Sequence, residues 1–277
     1  MIRVRLQGRM GNQLFQYAFA LYASRKLQTK FIVDIRQKDG YQLEYFNLPP
    51  PLQYLSFGIL AQRLYDIINR NYKMKKNFFM RGRDEDWSKR ILSDNTAYKG
   101  YFQDAYFSSQ IKSILNRHLS IRKKYTKKFH ELFPFALSDK YAVLHIRFGD
   151  YLSQTIEVNN TKFNWSLPIE WYYSAIQRAK LENIKLVIIS DDILLARKQL
   201  FEHYNNCYFP EGDAITDFQF LLHAETCIIS NSSFAWWGSF LNQNKNKKII
   251  APNNWVGYNA GFEYPKGIMT REFEWLQ

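Results

Sequence analysis

Cysteine is scarce in this chain of 277 residues. The two present, Cys207 and Cys227, cannot build a disulfide framework, so both are expected as buried small apolar residues and the reducing cytosol is the expected setting. Glycine, at 12, and proline, at 8, are too few for a collagen-like or low-complexity chain. No stretch approaches the roughly 18 consecutive apolar residues of a membrane span. Arg3, Arg5 and Gly8 interrupt the N-terminus where a signal peptide needs an apolar core. Several catalytic signatures are missing as well: the phosphate loop G-x-x-x-x-G-K-[ST], the dinucleotide fingerprint G-x-G-x-x-G and the nucleophile elbow G-x-S-x-G. The five histidines, His118, His130, His145, His203 and His223, form no close pair, and no resident metal is expected.

What is present is a basic chain with an ordinary apolar content. Lys plus Arg number 38 against 25 Asp plus Glu, a formal charge of +13, and 46% of residues are hydrophobic, which excludes intrinsic disorder. The excess sits in Arg70 to Arg90, in Arg122, Lys123, Lys124, Lys127 and Lys128, and in Lys245, Lys247 and Lys248. Such runs form either solvated faces or surfaces for anionic partners. Nucleic acid is not the expected partner, whereas contact with an anionic membrane is compatible with the second run.

Alternation at Ile2, Val4 and Leu6 predicts a strand, Gly8 and Gly11 a turn, and the stretch from Asn12 to about Leu27 a helix with Asn12 as its cap. Phe31 to Ile35 reads as the next strand. The middle, Gly40 to Phe135, is less regular, with a helix from Leu60 to Asn69, a charged aromatic region through Trp87, a helix from Gln110 to His118 and basic linker-like sequence to His130. Four strands follow, at Tyr141–Ile146, Lys185–Ile189, Cys227–Ile229 and Lys248–Ile250. They alternate with helices, which predicts a parallel sheet covered on both faces. Two halves are expected, 1–136 and 137–277, with a cleft between them.

Ligands in such sheets sit beyond the carboxyl ends of the strands. Those ends carry His145 with Arg147, Ser190 with Asp191, and Asn231 with Ser232 and Ser233. Alternation puts His145 and Arg147 on one face; an Arg fork suits phosphate, and a neighbouring His supplies a hydrogen bond or a proton. Asp150 either orients Arg147, acts as a base or caps its turn. Ser232 and Ser233 at a helix start either cap it or offer hydroxyl and N–H groups to an anion. Arg9 and Asn12 either belong to a simple turn or face a substrate. Trp236 and Trp237 are expected to pack in the core.

Gly8-Arg9-Met10-Gly11-Asn12-Gln13-Leu14-Phe15-Gln16-Tyr17-Ala18, His145-Ile146-Arg147-Phe148-Gly149-Asp150-Tyr151, Ile189-Ser190-Asp191-Asp192, and Thr216-Asp217-Phe218-Gln219-Phe220 leading to Ser230-Asn231-Ser232-Ser233-Phe234-Ala235-Trp236-Trp237-Gly238 follow one another in order. In these blocks the chain resembles the bacterial alpha-1,2-fucosyltransferases and, more distantly, the alpha-1,6- and protein O-fucosyltransferases. The resemblance implies an α/β fold of the GT-B glycosyltransferase type, two Rossmann-like lobes, with the acceptor and glycine-rich loop on the N-terminal lobe and the donor on the C-terminal one. It implies inverting transfer of L-fucose from GDP-fucose to the 2-hydroxyl of a terminal galactose in an oligosaccharide or lipid-linked glycan, without a cofactor or an obligatory metal. Arg147 matches the arginine on the donor's β-phosphate, with His145 beside it; Ser232, Ser233 and Phe234 match a phosphate-contacting helix start, and Ser190 and Asp191 the nucleoside side, with Asn231 expected among these donor-binding residues. Arg9 and Asn12 match the glycine-rich block that faces the reaction centre; with His145 they are the expected catalytic residues, and Asp150, the carboxylate near Arg147, is the leading candidate for a base that is unresolved. Phe148 stands where many relatives carry a second arginine. The competing readings are transfer from another nucleotide sugar and non-enzymatic binding of glycans or nucleic acid; a screen of sugar nucleotides for turnover separates them.

Overall fold

A computed structural model describes residues 1–36, 40–70, 72–79, 91–181, 184–200 and 206–277. His203 and most of the basic cluster's second half, residues 80–90, lie outside the described residues. Contacts divide the chain into two compact units, 1–123 with 266–268, and 124–265 with 269–277.

The first unit opens as strand, turn, helix, strand. Strand β1 (Ile2–Arg5) buries Ile2 and Val4, and pairs in parallel with β2 (Phe31–Asp34) from Ile2↔Phe31 to Arg5↔Asp34. The crossover is α1 (Met10–Lys26), buried on nearly every face, with Phe19 stacked on Phe102 at 3.9 Å between ring centroids. Asn12 does not cap this helix: α1 starts earlier, with Arg9 at the N-cap position and no side-chain cap bond. After a 3₁₀ turn (Leu52–Phe57) come α2 (Ile59–Arg70), β3 (Lys76–Phe79), β4 (Thr96–Lys99), α3 (Ala105–Gln110) and α4 (Lys112–His118). The sheet order is β2-β1-β4-β3, parallel throughout. Strands β3 and β4 went unrecognised in the sequence because each has only four residues, too few for a convincing alternation.

The second unit begins with α5 (Lys123–Leu132), a helix where the composition suggested a linker. Among its residues only Phe129 is buried, packed edge-on against Phe220 at 4.9 Å. Then follow α6 (Phe135–Ser138), β5 (Tyr141–Ile146), the antiparallel hairpin β6 (Thr155–Val158) and β7 (Thr161–Asn164), α7 (Ile169–Ala179), β8 (Lys185–Ser190), α8 (Ile193–Leu200), β9 (Cys207–Tyr208), α9 (Ala214–His223), β10 (Thr226–Ile229), α10 (Ser233–Phe240), β11 (Lys248–Pro252) and β12 (Glu274–Leu276). The six-stranded sheet runs β12-β11-β10-β5-β8-β9, all parallel, with all six residues of β5 buried. Its four inner strands are those expected from the sequence; the edge strands β9 and β12, of two and three residues, were not.

Chain order places the site. From β5 the chain steps to β8 and β9 on one side, then returns to β10 on the other, so the direction of winding switches beside β5. Crevices at such switch points hold ligands because neighbouring connections diverge there. Trp236 and Trp237 are fully buried in α10, as packing residues. Cys227 is a buried free thiol, whereas Cys207, also free, is only half-buried. No helix among the described residues is long and apolar enough to cross a membrane.

Candidate functional site

The register of the second sheet carries its polar residues to one edge. The last pairs are Ile146↔Ser190 between β5 and β8 and His145↔Ile229 between β5 and β10. The next residues out are therefore Arg147, Asp191 and Ser230. There Asp191 Oδ2 lies 2.9 Å from Arg147 Nη1, while its Oδ1 accepts the Phe148 N–H at 2.9 Å. Gly149 makes room for this carboxylate. Its φ is +28°, and a Cβ there would lie 2.2 Å from Asp191 Oδ2.

Arg147 is thus held between two carboxylates. Its Nη2 pairs with Asp150 Oδ1, and the guanidinium sits 5.3 Å from the centroid of Tyr151. The two acids are not equivalent. The Asp150 side chain is 45% exposed on a 3₁₀ turn (Gly149–Leu152), whereas that of Asp191 is 23% exposed and held by a backbone amide as well. Asp192 points elsewhere and caps α8, accepting the Leu195 N–H at 3.0 Å. The hydroxyl of Ser190 accepts the Asp192 N–H at 3.1 Å.

His145 is buried, with Nδ1 2.9 Å from Ser230 Oγ. Burial first, and the Arg147 charge second, push its pKa down to about 3, so the imidazole is neutral at physiological pH. It offers a hydrogen bond there and carries no proton to deliver. Tyr172, on α7, is buried with its hydroxyl close to the Arg147 backbone and the Ser230 side chain. Phe148 is buried, in the cluster with Ile146 and Trp171, and packs as core.

Beyond β10, Ser232 is the N-cap residue of α10 without a side-chain cap bond, so Ser232 does not cap this helix with its hydroxyl. Phe234 leans on the His145 ring at 6.0 Å and on Phe218 at 5.4 Å. Asn231 faces inward: its Nδ2 donates to Trp165 O at 2.7 Å and braces the 165 loop. Ser233 is the first residue of α10, whose opening N–H groups lack partners within the helix. His145, Arg147, Asp150, Ser190, Asp191, Asn231, Ser232, Ser233 and Phe234 are therefore gathered at one edge of one sheet.

Arg9 and Asn12 belong to the first unit. Asn12 Oδ1 accepts from Gln103 Nε2 at 2.7 Å, and Gly8, at φ +74°, admits the Asn12 amide where a Cβ would lie 2.5 Å away. Two buried glutamines fix this loop. Gln13 donates to Gly8 O and Gly40 O and accepts from Gln42 N–H, all at 2.9 Å, and Gln16 bonds the Gln7 backbone and Gly100 O. Arg9 stays exposed at the start of α1.

Sequence reasoning gave no role to Tyr172, Ser230, Gln13, Gln16 or Gln103. Gln13, Gln16 and Ser230 stand inside the quoted blocks; Tyr172 and Gln103 carry no local signal. Asp217, on α9, was also passed over: burial first and Asp213 second raise its carboxyl to about 7. Among the described residues no three His, Cys, Asp or Glu side chains gather as a metal cage. One feature of the sequence runs against the metal-free expectation: Asp84-Glu85-Asp86 has the D-x-D form that a divalent ion and a diphosphate share, and it lies outside the described residues.

A parallel α/β unit with Arg147, Ser190, Asp191 and the start of α10 at its switch point, preceded in the same chain by a second parallel α/β unit, is the architecture of the GT-B glycosyltransferases. The similarity to solved structures supports that fold: NodZ alpha-1,6-fucosyltransferase co-crystallised with GDP matches with a TM-score of 0.56 at 13% identity, covering 91% of this chain and 95% of that one. POFUT1 in complex with GDP matches with a TM-score of 0.54 at 11% identity, covering 90% and 97%. The chain belongs to glycosyl transferase family 11, whose model matches residues 1–276. It is similar to the Escherichia coli O-antigen biosynthesis glycosyltransferase WbnK, 24% identical over 92% of this chain and 94% of the relative. It is also similar to an Escherichia coli alpha-1,2-colitosyltransferase, 27% identical over 91% of each. The protein is a sugar-nucleotide-dependent glycosyltransferase related to fucosyl and O-antigen transferases.

Proposed function

We propose that the protein transfers L-fucose from GDP-fucose to the 2-hydroxyl of a terminal galactose, with inversion at the anomeric carbon. The observation that carries this reading is Arg147, held between Asp191 and Asp150 at the end of β5, whose neighbour β10 leads into α10. As the acceptor oxygen bonds to the anomeric carbon, the bond to the β-phosphate breaks and negative charge grows on the departing GDP. A positioned guanidinium, the opening N–H groups of α10 and the Ser232 and Ser233 hydroxyls answer that charge without reorganising. Ser190, Asp191, Asn231 and Phe234 complete the donor side, and neutral His145 contributes a hydrogen bond.

Two carboxylates on one arginine leave the site with a local surplus of negative charge, unfavourable for a diphosphate. The exposed partner, Asp150, is the one that yields: the phosphate takes its place on Arg147 Nη2 and frees the carboxylate to accept the proton of the acceptor hydroxyl. Arg9 and Asn12 serve the acceptor side, on the N-terminal lobe 1–136, and the C-terminal lobe 137–277 holds the donor. A galactose-ended oligosaccharide or lipid-linked glycan is the acceptor, in the cytoplasm, and the transfer proceeds without a metal.

One similarity favours a second reading. The colitosyltransferase relative uses, by its name, a sugar lacking one ring hydroxyl of fucose, and it is the more identical of the two Escherichia coli proteins. Competition between GDP-fucose and GDP-colitose over one acceptor, in chelator and again with magnesium, tests the proposal. A higher kcat/KM for GDP-fucose, unchanged by chelator, is expected; preference for GDP-colitose or for another nucleotide sugar, or turnover only with metal, overturns the corresponding part.

A further inference from the structure

Helix α2 is turned inside out. At about 100° per residue, Leu60, Leu64, Ile67 and Ile68 share one face about 100° wide, the stripe by which a helix normally joins its core. Here those side chains are 72%, 53%, 47% and 64% exposed, and Phe57 and Ile59 beside them are 68% and 71% exposed. The face turned inward is the polar one. Tyr65 is buried, its hydroxyl accepting the Val33 N–H at 3.1 Å, and Gln62 donates to Leu55 O at 3.1 Å. Arg3 clasps the C-terminal end, donating to Asn69 O and Tyr72 O at 2.7 Å, and Arg36 pairs with Asp66 at 3.4 Å. The helix is therefore fixed with its apolar stripe outward.

The charge around that stripe identifies its occupant. From Ile59 to Phe79 the chain carries the exposed cations Arg63, Arg70, Lys73, Lys75 and Lys76 against a single carboxylate, Asp66, which shares Arg36 with Asp34. A second copy would bring these cations against their own like, whereas an anionic bilayer accepts both the apolar stripe and its basic rim. Exposed Tyr72 and Phe79 add the aromatic groups that settle at a lipid–water boundary. Helix α5, the surface that sequence composition suggested, is less suited. Lys127 pairs with Glu131 and Lys128 with Asp213, and its buried apolar residue, Phe129, faces inward.

We infer that the α2 face docks the protein on an anionic lipid bilayer, independently of the donor and acceptor proposed above. The test is co-sedimentation with phosphatidylcholine vesicles with and without phosphatidylglycerol, at rising salt. The wild-type chain binds the phosphatidylglycerol vesicles in a salt-dependent manner. Leu64→Glu/Ile68→Glu and the milder Leu60→Gln/Leu64→Gln each lower partitioning by about tenfold or more with melting temperature unchanged. Lys73→Gln/Lys75→Gln weakens binding to a lesser degree, and Lys124→Gln/Lys127→Gln leaves it as in the wild type. Equal partitioning to both vesicle types, or undiminished binding by the α2 variants, overturns the inference. So does a concentration-dependent dimer that Leu64→Glu/Ile68→Glu dissolves, because a second copy then covers the stripe.

Discussion

Asp191 reaches across from the end of β8 to hold Arg147, Oδ2 to Nη1 at 2.9 Å, while its other oxygen takes the Phe148 amide. That one carboxylate fixes both a guanidinium and the turn that carries it, and it fits only because residue 149 has no Cβ. Gly149→Ala should therefore behave as an Arg147 defect at a distance. Arg147→Ala sets the scale, with an expected loss of about 2–5 kcal/mol of donor binding, and Arg147→Lys falls between, keeping the charge but not the fork. Calorimetric GDP titration reads all three. Wild-type affinity in Gly149→Ala would mean that the Asp191 contact does not position the arginine.

Asp150→Asn separates the two duties of that side chain. If the carboxylate yields Arg147 to the diphosphate and then accepts the acceptor proton, the amide variant binds GDP at least as tightly as the wild type while transfer falls by about 10² or more. Weaker GDP binding in step with transfer would reduce Asp150 to a partner that orients Arg147.

Two buried groups should make stability depend on pH below neutrality, with slopes of opposite sign. His145 titrates near 3 when folded against 6.5 in its ordinary state. As pH falls through that window the unfolded chain takes up a proton that the folded chain refuses, and stability drops, by up to several kcal/mol. Asp217 works the other way. Its folded carboxyl keeps a proton up to about 7 against 3.8 ordinarily, so stability drops as pH rises from about 4 to 7. Urea denaturation across pH checks both: measured against wild type, His145→Gln should gain stability progressively as pH falls from about 6.5 to 3, and Asp217→Asn should gain it as pH rises from about 4 to 7. Parallel curves for variant and wild type would reject the assignment.

How much of this was legible beforehand follows from the physics of each element. The inner strands of the second sheet were readable because buried parallel strands are written as unbroken apolar runs, and their polar ends named the edge where Arg147 and Asp191 meet. The first sheet was half hidden, since β4 shows its burial in only Thr96 and Tyr98. Asn12 looked like a cap because it stood before an apolar run; its partner, Gln103, is 91 residues away and no local pattern reports it. Tyr172 was equally silent, because a buried hydroxyl on an amphipathic helix looks like any core aromatic until the fold sets it against Ser230. The apolar stripe of α2 was legible as a helix, but not as a helix facing outward.

Because Asn12 is not the cap of α1, Asn12→Ala should leave the helix in place. Its cost is the unpaired Gln103 amide, about 1–3 kcal/mol in a melting experiment. GDP binding should persist while transfer falls. Full transfer by a folded Asn12→Ala protein would remove the N-terminal block from the reaction.

The most direct measurement is the linkage of the product. The protein, GDP-fucose and galactose-ended acceptors are incubated, and the product is analysed by mass and by NMR correlation across the new glycosidic bond. The account predicts one added fucose in alpha linkage to O2 of the terminal galactose. A bond to another oxygen, a beta linkage, or no product from GDP-fucose where another nucleotide sugar reacts would contradict it.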